Sequence, residues 1–299
     1  MKKKKQINLS IIIVSFNTKE ITKQALDSIN QSLKNSKIKY EIIVVDNNSH
    51  DGSKKMLEDY AKKKQNNTIY IQTNTNLGFG KGNNLGVKKS NGKYILLINS
   101  DTIVLNRAIE KLFYFYKNNE KNIHFLGPKL LNKDLTPQPS AAYFFSLPVV
   151  FATLFLKGDY WGLTRFSPNK FCQVDWLSGA CILTKKTYYN ILNGFDEKIF
   201  MYMEEVDLLY RAKKLGLKTY FYPNAQIIHL GSASSAGKTF PILQVYKGFI
   251  FFYKKHYSKL SLLILYFLLK LKAIISLIIG KIKKDNYLIN TYEKAFWIS

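Results

Sequence analysis

Three observations predict an α/β fold with a mainly parallel sheet, followed by a basic helical tail. Through about residue 130, apolar β-branched runs alternate with helical patterns, as βαβ units do. Asn17, Asp46 and Asp101 each stand at the carboxyl end of such a run, where open α/β sheets bind ligands. Residues 241–299 then change character, with ten Lys and two acids around the apolar run 260–280.

The first predicted strand is Ser10 to Phe16. Thr18 follows as an N-cap candidate for a helix with apolar positions Ile21, Ala25, Leu26, Ile29 and Leu33. Further strands are expected at Ile42–Val45, Thr68–Gln72 and Tyr94–Ile98. Between Pro137 and Phe171 the pattern loosens into aromatic, Pro-containing sequence, then recovers at WLSGACILT. Helices are expected at Lys185–Leu192 and Glu205–Leu215, stopped by Gly194 and Gly216, with strands at Thr219–Tyr222 and Ala225–Leu230.

In the run 260–280, fourteen Leu, Ile or Phe each favour membrane insertion by about 0.3–0.6 kcal/mol, while Lys270 and Lys272 each cost about 2.5–3.5 kcal/mol. The sum nearly cancels. The two lysines lie about 200° apart on a helical wheel, which leaves no clean amphipathic face. A membrane-embedded or interfacial helix with lysines on anionic lipid is the expectation, against a buried terminal hairpin.

At 299 residues and 46% hydrophobic content the chain can bury a sizeable core. Its net charge of +25 seeks phosphates, whether on nucleic acid, lipid or substrate. Only three of its 45 cationic residues are Arg (Arg107, Arg165, Arg211), which counts against a sequence-specific reader of nucleic acid. Cys172 and Cys181 have neither metal-ligand spacing nor the number for a disulfide framework, so two free thiols in a reducing compartment are expected. The start, MKKKKQINLSIIIVSFN, has the charge pattern of a signal peptide but no small-residue cleavage site, and reads as a core strand.

A strand-end Asp such as Asp46 can accept from a nucleobase or ribose donor, or simply cap a turn. Asp101, ending YILLINSD, can ligate a hard divalent cation that neutralises a diphosphate. The loop NLGFGKGNNLG, residues 76–86, carries Lys81 and four glycines but matches neither a dinucleotide fingerprint nor a Walker A loop, and reads as a flexible surface loop. In GFDEKIFMYMEEVDLLYR, Glu204, Glu205 and Asp207 cluster at a helix start, where the dipole alone favours acids by about 0.3–1 kcal/mol each. Crowding raises carboxylate pKa values, which also suits a general base. His229 ends a strand before Gly231, and such a His is commonly structural.

SIIIVSFN, VVDNNSHDGS, NLGFGKGNN, LLINSD, GPKLLN, WLSGACILT, GFDEKIFMYMEEVDLLYR and YPNAQIIHLGSAS follow one another from Ser10 to Ser234, within a likeness that covers roughly residues 8–257. This set resembles the inverting family 2 glycosyltransferases with a GT-A fold, a Rossmann-like mixed sheet flanked by helices, and especially the rhamnosyltransferase-like branch that builds bacterial surface polysaccharides. The resemblance implies one domain over residues 1–257, with a nucleotide-binding half to about 130 and an acceptor half beyond, and a membrane-associating tail over 258–299. It places Ser15, Asn17, Asp46, Asn48, Lys81, Asn84, Asn99 and Asp101 about the nucleotide-sugar donor. Trp176 and Gly179 would border the donor sugar and acceptor. Glu205 would be the catalytic base, where the family usually has Asp, with Glu204 and Asp207 as supports for the acceptor. A Mg²⁺ or Mn²⁺ on Asp101 and His229 would stabilise the departing diphosphate, although Asn99 stands where many members have a second acid.

The implied reaction inverts the anomeric centre and transfers one sugar per encounter, because the Gln-x-x-Arg-Trp motif of processive members is missing. The expected acceptor is a saccharide, free or lipid-linked, met from the cytoplasmic side at the inner face of the membrane. The competing readings are a nucleotidyltransferase on a similar scaffold, which Asn99 counts against, and a non-catalytic basic protein that binds lipid or nucleic acid by charge.

Overall fold

The computed structural model describes residues 7–63, 67–231 and 239–299. The N-terminal lysine run and the segment just after Gly231, which ends the last of the motifs above, lie outside them. The first half of the chain runs β1 (Leu9–Ser15), α1 (Lys19–Ser32), β2 (Tyr40–Asp46), α2 (Ser53–Lys62), β3 (Thr68–Gln72), α3 (Phe79–Lys89), β4 (Tyr94–Ile98), β5 (Thr102–Val104), α4 (Ala108–Asn118) and β6 (Phe125–Leu131). There follow β7 (Pro137–Gln138), β8 (Ala141–Ala142), α5 (Leu147–Phe155), β9 (Arg165–Phe166), β10 (Cys172–Val174), β11 (Trp176–Leu177), β12 (Cys181–Lys185), α6 (Lys186–Ile191), α7 (Glu204–Lys214) and β13 (Thr219–His229). The chain ends with α8 (Thr239–His256), α9 (Lys259–Lys283) and α10 (Asn286–Ile298).

The main sheet has the order β10-β13-β6-β12-β4-β1-β2-β3, with β5 on β13 and β7 on β6. Strands β4, β1, β2 and β3 are parallel, whereas β12 is antiparallel to both β4 and β6, so the sheet is mixed. Register aligns Ser15 with Asp46 and Asp46 with Gln72, which brings the polar strand ends to one edge. The strand order reverses at β1 and β4, the position where a crevice opens in such sheets.

The pleat of β1 sorts the core. Leu9, Ile11 and Ile13 pack with Leu26, Ile29 and Leu112 on one face, while Ile12 packs with Val87 and Phe249 on the other. The helix after β1 buries Ala25, Leu26 and Ile29 as its spacing predicts. Thr18 stands at its cap position but makes no capping bond, because its hydroxyl joins Ser15 and Thr22 instead.

The glycine-rich segment is not a surface loop. It opens α3, and its small residues let that helix lie directly on the sheet: a Cβ at Gly86 would come within 2.5 Å of Ile12 and one at Gly82 within 2.9 Å of Val14. The irregular stretch after Pro137 contains α5 and a small second sheet of β11, β8 and β9.

The tail is docked rather than free. Leu265, Leu268, Leu269 and Ala295 share a buried cluster with Tyr246, Phe249 and Phe252 of α8. The outer side of α9 exposes Leu260, Leu263, Ile264, Phe267, Ile274, Ile275, Ile278 and Ile282, which recur at helical spacing. Contrary to the expectation from the wheel, this is one continuous apolar face. Lys270 and Lys272 bound it on either side, with ammonium groups 5.3 Å from the Phe296 ring and 5.9 Å from the Phe155 ring respectively. The arc of about 200° between them is the apolar stripe itself.

Candidate active site

A cavity of about 600 Å³ opens where β4, β11, β13 and the start of α7 meet. It gathers Asn99, Asp101, Trp176, Gly179, Glu204, Glu205 and His229, which are spread over 131 positions of the sequence.

At one wall, the pairing of His229 with Thr102 in the β5–β13 ladder brings the imidazole to Asp101. His229 Nε2 lies 3.3 Å from Asp101 Oδ1 and 3.3 Å from the Asn99 amide nitrogen. The other ring nitrogen, Nδ1, is 2.8 Å from Gln138 Oε1. Gln138 spends its amide N–H groups on His229 O and Asn132 Oδ1, so its Oε1 accepts the Nδ1 proton and leaves Nε2 as a lone-pair donor toward Asp101. The Asn99 Oδ1 is buried with no hydrogen-bond partner. A carboxylate, an imidazole nitrogen and a free amide oxygen form a donor set that suits Mg²⁺ or Mn²⁺ with open positions left for a ligand. Among the described residues no group of three His, Cys, Asp or Glu converges on one point, so the protein itself offers two such ligands here.

The opposite chemistry occupies the first turn of α7. Tyr202 and Met203, just before it, both hold positive φ, 66° and 74°, an unusual conformation for bulky residues that reverses the chain tightly. Gly248 of α8 makes the turn possible, since a Cβ there would meet Met203 Cγ at 2.6 Å. The turn presents Glu204 and Glu205 to the cavity. Glu205 Oε1 accepts from the Gly179 N–H at 3.3 Å, while Glu205 Oε2 and Glu204 Oε2 are buried without partners. Burial, reinforced by the charge of Glu205, pushes the Glu204 carboxyl well above the usual range. Burial also raises Glu205, opposed by backbone N–H donors, including that of Gly179, and by the Arg165 guanidinium.

Asp207 differs from its neighbours. It is fully buried behind the cavity, where Arg211 Nε (2.8 Å), Lys255 Nζ (2.7 Å) and His256 Nε2 (2.7 Å) all reach it. These partners outweigh burial and hold its pKa down at about 2. A catalytic position for Asp207 is therefore corrected: it ties α7 to α8.

The remaining donor candidates lie outside this cavity. Asp46 is buried and accepts from the Ser49 N–H at 3.0 Å and hydroxyl at 2.5 Å. Exposed Asn17, at φ 52°, accepts from the His50 N–H at 2.8 Å, and Asn48 holds φ 66°, so these residues shape one turn at the sheet edge. Ser15 is buried in a hydroxyl cluster with Thr18 and Thr22 and presents nothing to a ligand. Asn84 likewise does not line a donor pocket. Its amide is committed to the Phe195 backbone, at 3.0 Å in both directions, and to the Tyr189 hydroxyl at 2.6 Å. Half-buried Lys81, on the same helix, is not among the residues lining the cavity.

Sequence reasoning missed Gln138, Arg165, Ser178 and Tyr202, all of which line the cavity. The rarity of Arg in a lysine-rich chain was a usable signal for Arg165. Gln138 had none, because its role depends on strand pairing with Leu130.

A family model described as glycosyl transferase family 2 matches residues 10–165, just over half of the chain. A hexosyltransferase of low-salt glycan biosynthesis from Haloferax volcanii is 26% identical over 69% of this chain, which spans 62% of that relative's length. An N-acetylglucosaminyl-diphospho-decaprenol L-rhamnosyltransferase from Mycobacterium tuberculosis is 28% identical over 66% of this chain and 68% of its own. Among solved structures, a mannosyltransferase from Pyrobaculum calidifontis in complex with GDP-Man and Mn²⁺ superposes with a TM-score of 0.59 at 12% identity, over 96% of this chain and 73% of that one. S. aureus TarS 1–349 in complex with UDP-GlcNAc gives 0.56 at 16% identity, over 91% and 67%.

Proposed function

The chain belongs to glycosyl transferase family 2, and from that premise we propose that it moves one sugar from a nucleotide-diphosphate sugar to an acceptor hydroxyl, with inversion, at a membrane surface. Its mixed sheet with flanking helices is of the GT-A type. The observation that carries the reading is the carboxyl pair Glu204–Glu205, each with one unpartnered oxygen, set in the same cavity as Asp101 and His229. A base for a hydroxyl proton and a site for a leaving diphosphate thus face one space.

In this reading Glu205 takes the proton of the acceptor hydroxyl as that oxygen attacks the anomeric carbon. Its free Oε2 is the accepting atom, and the Gly179 N–H fixes the other oxygen. A single displacement from the face opposite the leaving group inverts the centre. Glu204, packed beside it, keeps the pair's proton affinity high. Asp101 and His229 would hold the divalent cation, whose charge offsets that developing on the nucleoside diphosphate. Asp46 and the Asn17 turn, at the adjoining sheet edge, are the proposed seat of the nucleoside.

The exposed stripe of α9 supports an interfacial position. An apolar face along 25 residues, bounded by lysines, suits a helix lying in the plane of an anionic leaflet, which also places the chain beside lipid-linked acceptors. Because α9 and α10 also complete the core, point changes test this better than truncation. Leu263→Ser with Phe267→Ser should abolish cosedimentation with phosphatidylglycerol vesicles while leaving the fold intact, and unchanged cosedimentation would refute the placement.

The reading as a whole is tested by incubating the protein with Mn²⁺ and a panel of nucleotide sugars, and measuring nucleoside diphosphate release and thermal stabilisation. At least one donor should do both. Neither effect across the panel would favour a non-catalytic basic protein.

A further inference from the structure

Among the described residues, the cavity's lining contains four acids, Asp101, Asp159, Glu204 and Glu205, and one Lys or Arg, Arg165, although the chain carries 45 such cations. That guanidinium is held but not spent. It packs 5.6 Å from the centroid of the Trp176 ring and donates from Nη2 to Pro139 O at 3.1 Å, while its Nε is buried with no partner. A planar cation with unused donors beside an aromatic ring is a suitable receiver for a phosphate.

The segment that delivers Arg165 gives the phosphate a source. Residues 158–164 form a compact loop closed by the Leu163 N–H on Gly158 O at 2.8 Å. Inward, this segment supplies Asp159 and Arg165 to the cavity. Outward, it exposes Tyr160 (78%), Trp161 (68%) and Leu163 (55%). It follows directly on α5, which exposes Phe151 and packs on α9 beside the apolar stripe, where Lys272 covers the Phe155 ring. One short stretch thus joins the apolar surface to the cation in the cavity. The Asp159 carboxylate, at the same wall, is engaged by the Thr164 hydroxyl and sits on an exposed residue, whereas Arg165 is half-buried with its Nε enclosed.

Resting on the glycosyl-transfer reading above, we propose that Arg165 binds the phosphate of an amphiphilic acceptor, a lipid phosphate or diphosphate carrying a sugar. The lipid chain would lie along the Tyr160–Leu163 loop and α9, and the acceptor hydroxyl would be presented toward Glu205. The donor's diphosphate has its own site at Asp101 and His229.

The test uses the full-length protein and two soluble probes, farnesyl diphosphate and farnesol, titrated without metal by tryptophan fluorescence and calorimetry. In parallel, UDP, GDP and dTDP are titrated with Mn²⁺. Wild type should bind farnesyl diphosphate at least tenfold more tightly than farnesol. Arg165→Met should bind the two equally, Arg165→Lys should fall between, and nucleotide affinity should stay within twofold in both variants, with circular dichroism and Tm confirming their fold. Retention of the tenfold preference by Arg165→Met, or a loss of nucleotide affinity in its place, would overturn the assignment and leave glycosyl transfer standing. Wild-type protein that binds no nucleotide would instead remove that reading, and this inference with it.

Discussion

The first turn of α7 presents carboxylates in two opposite conditions within four residues. Glu204 and Glu205 face the cavity with an oxygen each left without a partner, while Asp207, on the rear, is held by the cations Arg211 and Lys255 and by the His256 imidazole. Burial is common to all three. The difference in partners sends the front pair's proton affinity up and Asp207's down to about 2. A buried acid that the fold satisfies is structural, and a buried acid that it leaves unsatisfied is available for chemistry.

The largest effect should come from removing the available oxygen. Glu205→Gln is expected to lower sugar transfer by roughly 10³-fold with nucleotide binding retained, measured by steady-state kinetics and calorimetry. In wild type, the rate should rise with pH through a value above the ordinary carboxylate range, since Glu205 must lose its proton to act. Asp207→Asn should instead strike the fold, costing about 3 kcal/mol in denaturant unfolding because Arg211, Lys255 and His256 lose their common partner. The sign of its pH effect follows from a depressed folded pKa. The stabilisation, about 2 kcal/mol, is complete above pH 3.8 and is lost as pH falls toward 2, a slope the Asn variant should lack.

Smaller effects separate the two sides further. Asp101→Ala or His229→Ala should weaken nucleoside diphosphate binding in Mn²⁺ by about 10–100-fold, and Gln138→Leu by about tenfold through loss of the Nδ1 acceptor. Glu204→Gln should stabilise the protein at pH 8, by roughly 2–4 °C in Tm if about 1 kcal/mol is recovered. A raised folded pKa means that the cost of ionising Glu204 appears only above pH 4.5, so this gain should vanish below it. A stabilising Asp207→Asn or a destabilising Glu204→Gln would break the comparison.

Much of this arrangement was legible in the sequence, because local periodicity reports strands and helices and strand ends report the crevice. Asp101, Glu204 and Glu205 stand out by their places at a strand end and a helix start, the family resemblance adds His229, and the structure brings the four to one cavity. What failed was partner assignment. Whether Asn84 faces a ligand or clamps Phe195, and whether Asp207 is free or tied to Lys255 and His256, depends on elements 48 to 111 residues away. The glycines of α3 read as a flexible loop because only the sheet beneath them, at Ile12 and Val14, reveals why side chains are excluded. The wheel of α9 misled for a different reason: the arc of about 200° between Lys270 and Lys272 reads as a break in the apolar face, when it is the width of that face.

The central claim is a single displacement assisted by Glu205, and the anomeric configuration of the product tests it most directly. With the donor found in the nucleotide-sugar panel and a sugar-bearing lipid diphosphate as acceptor, proton NMR of the first turnovers should show the new linkage with configuration opposite to that of the donor. A product that keeps the donor's configuration would contradict the account.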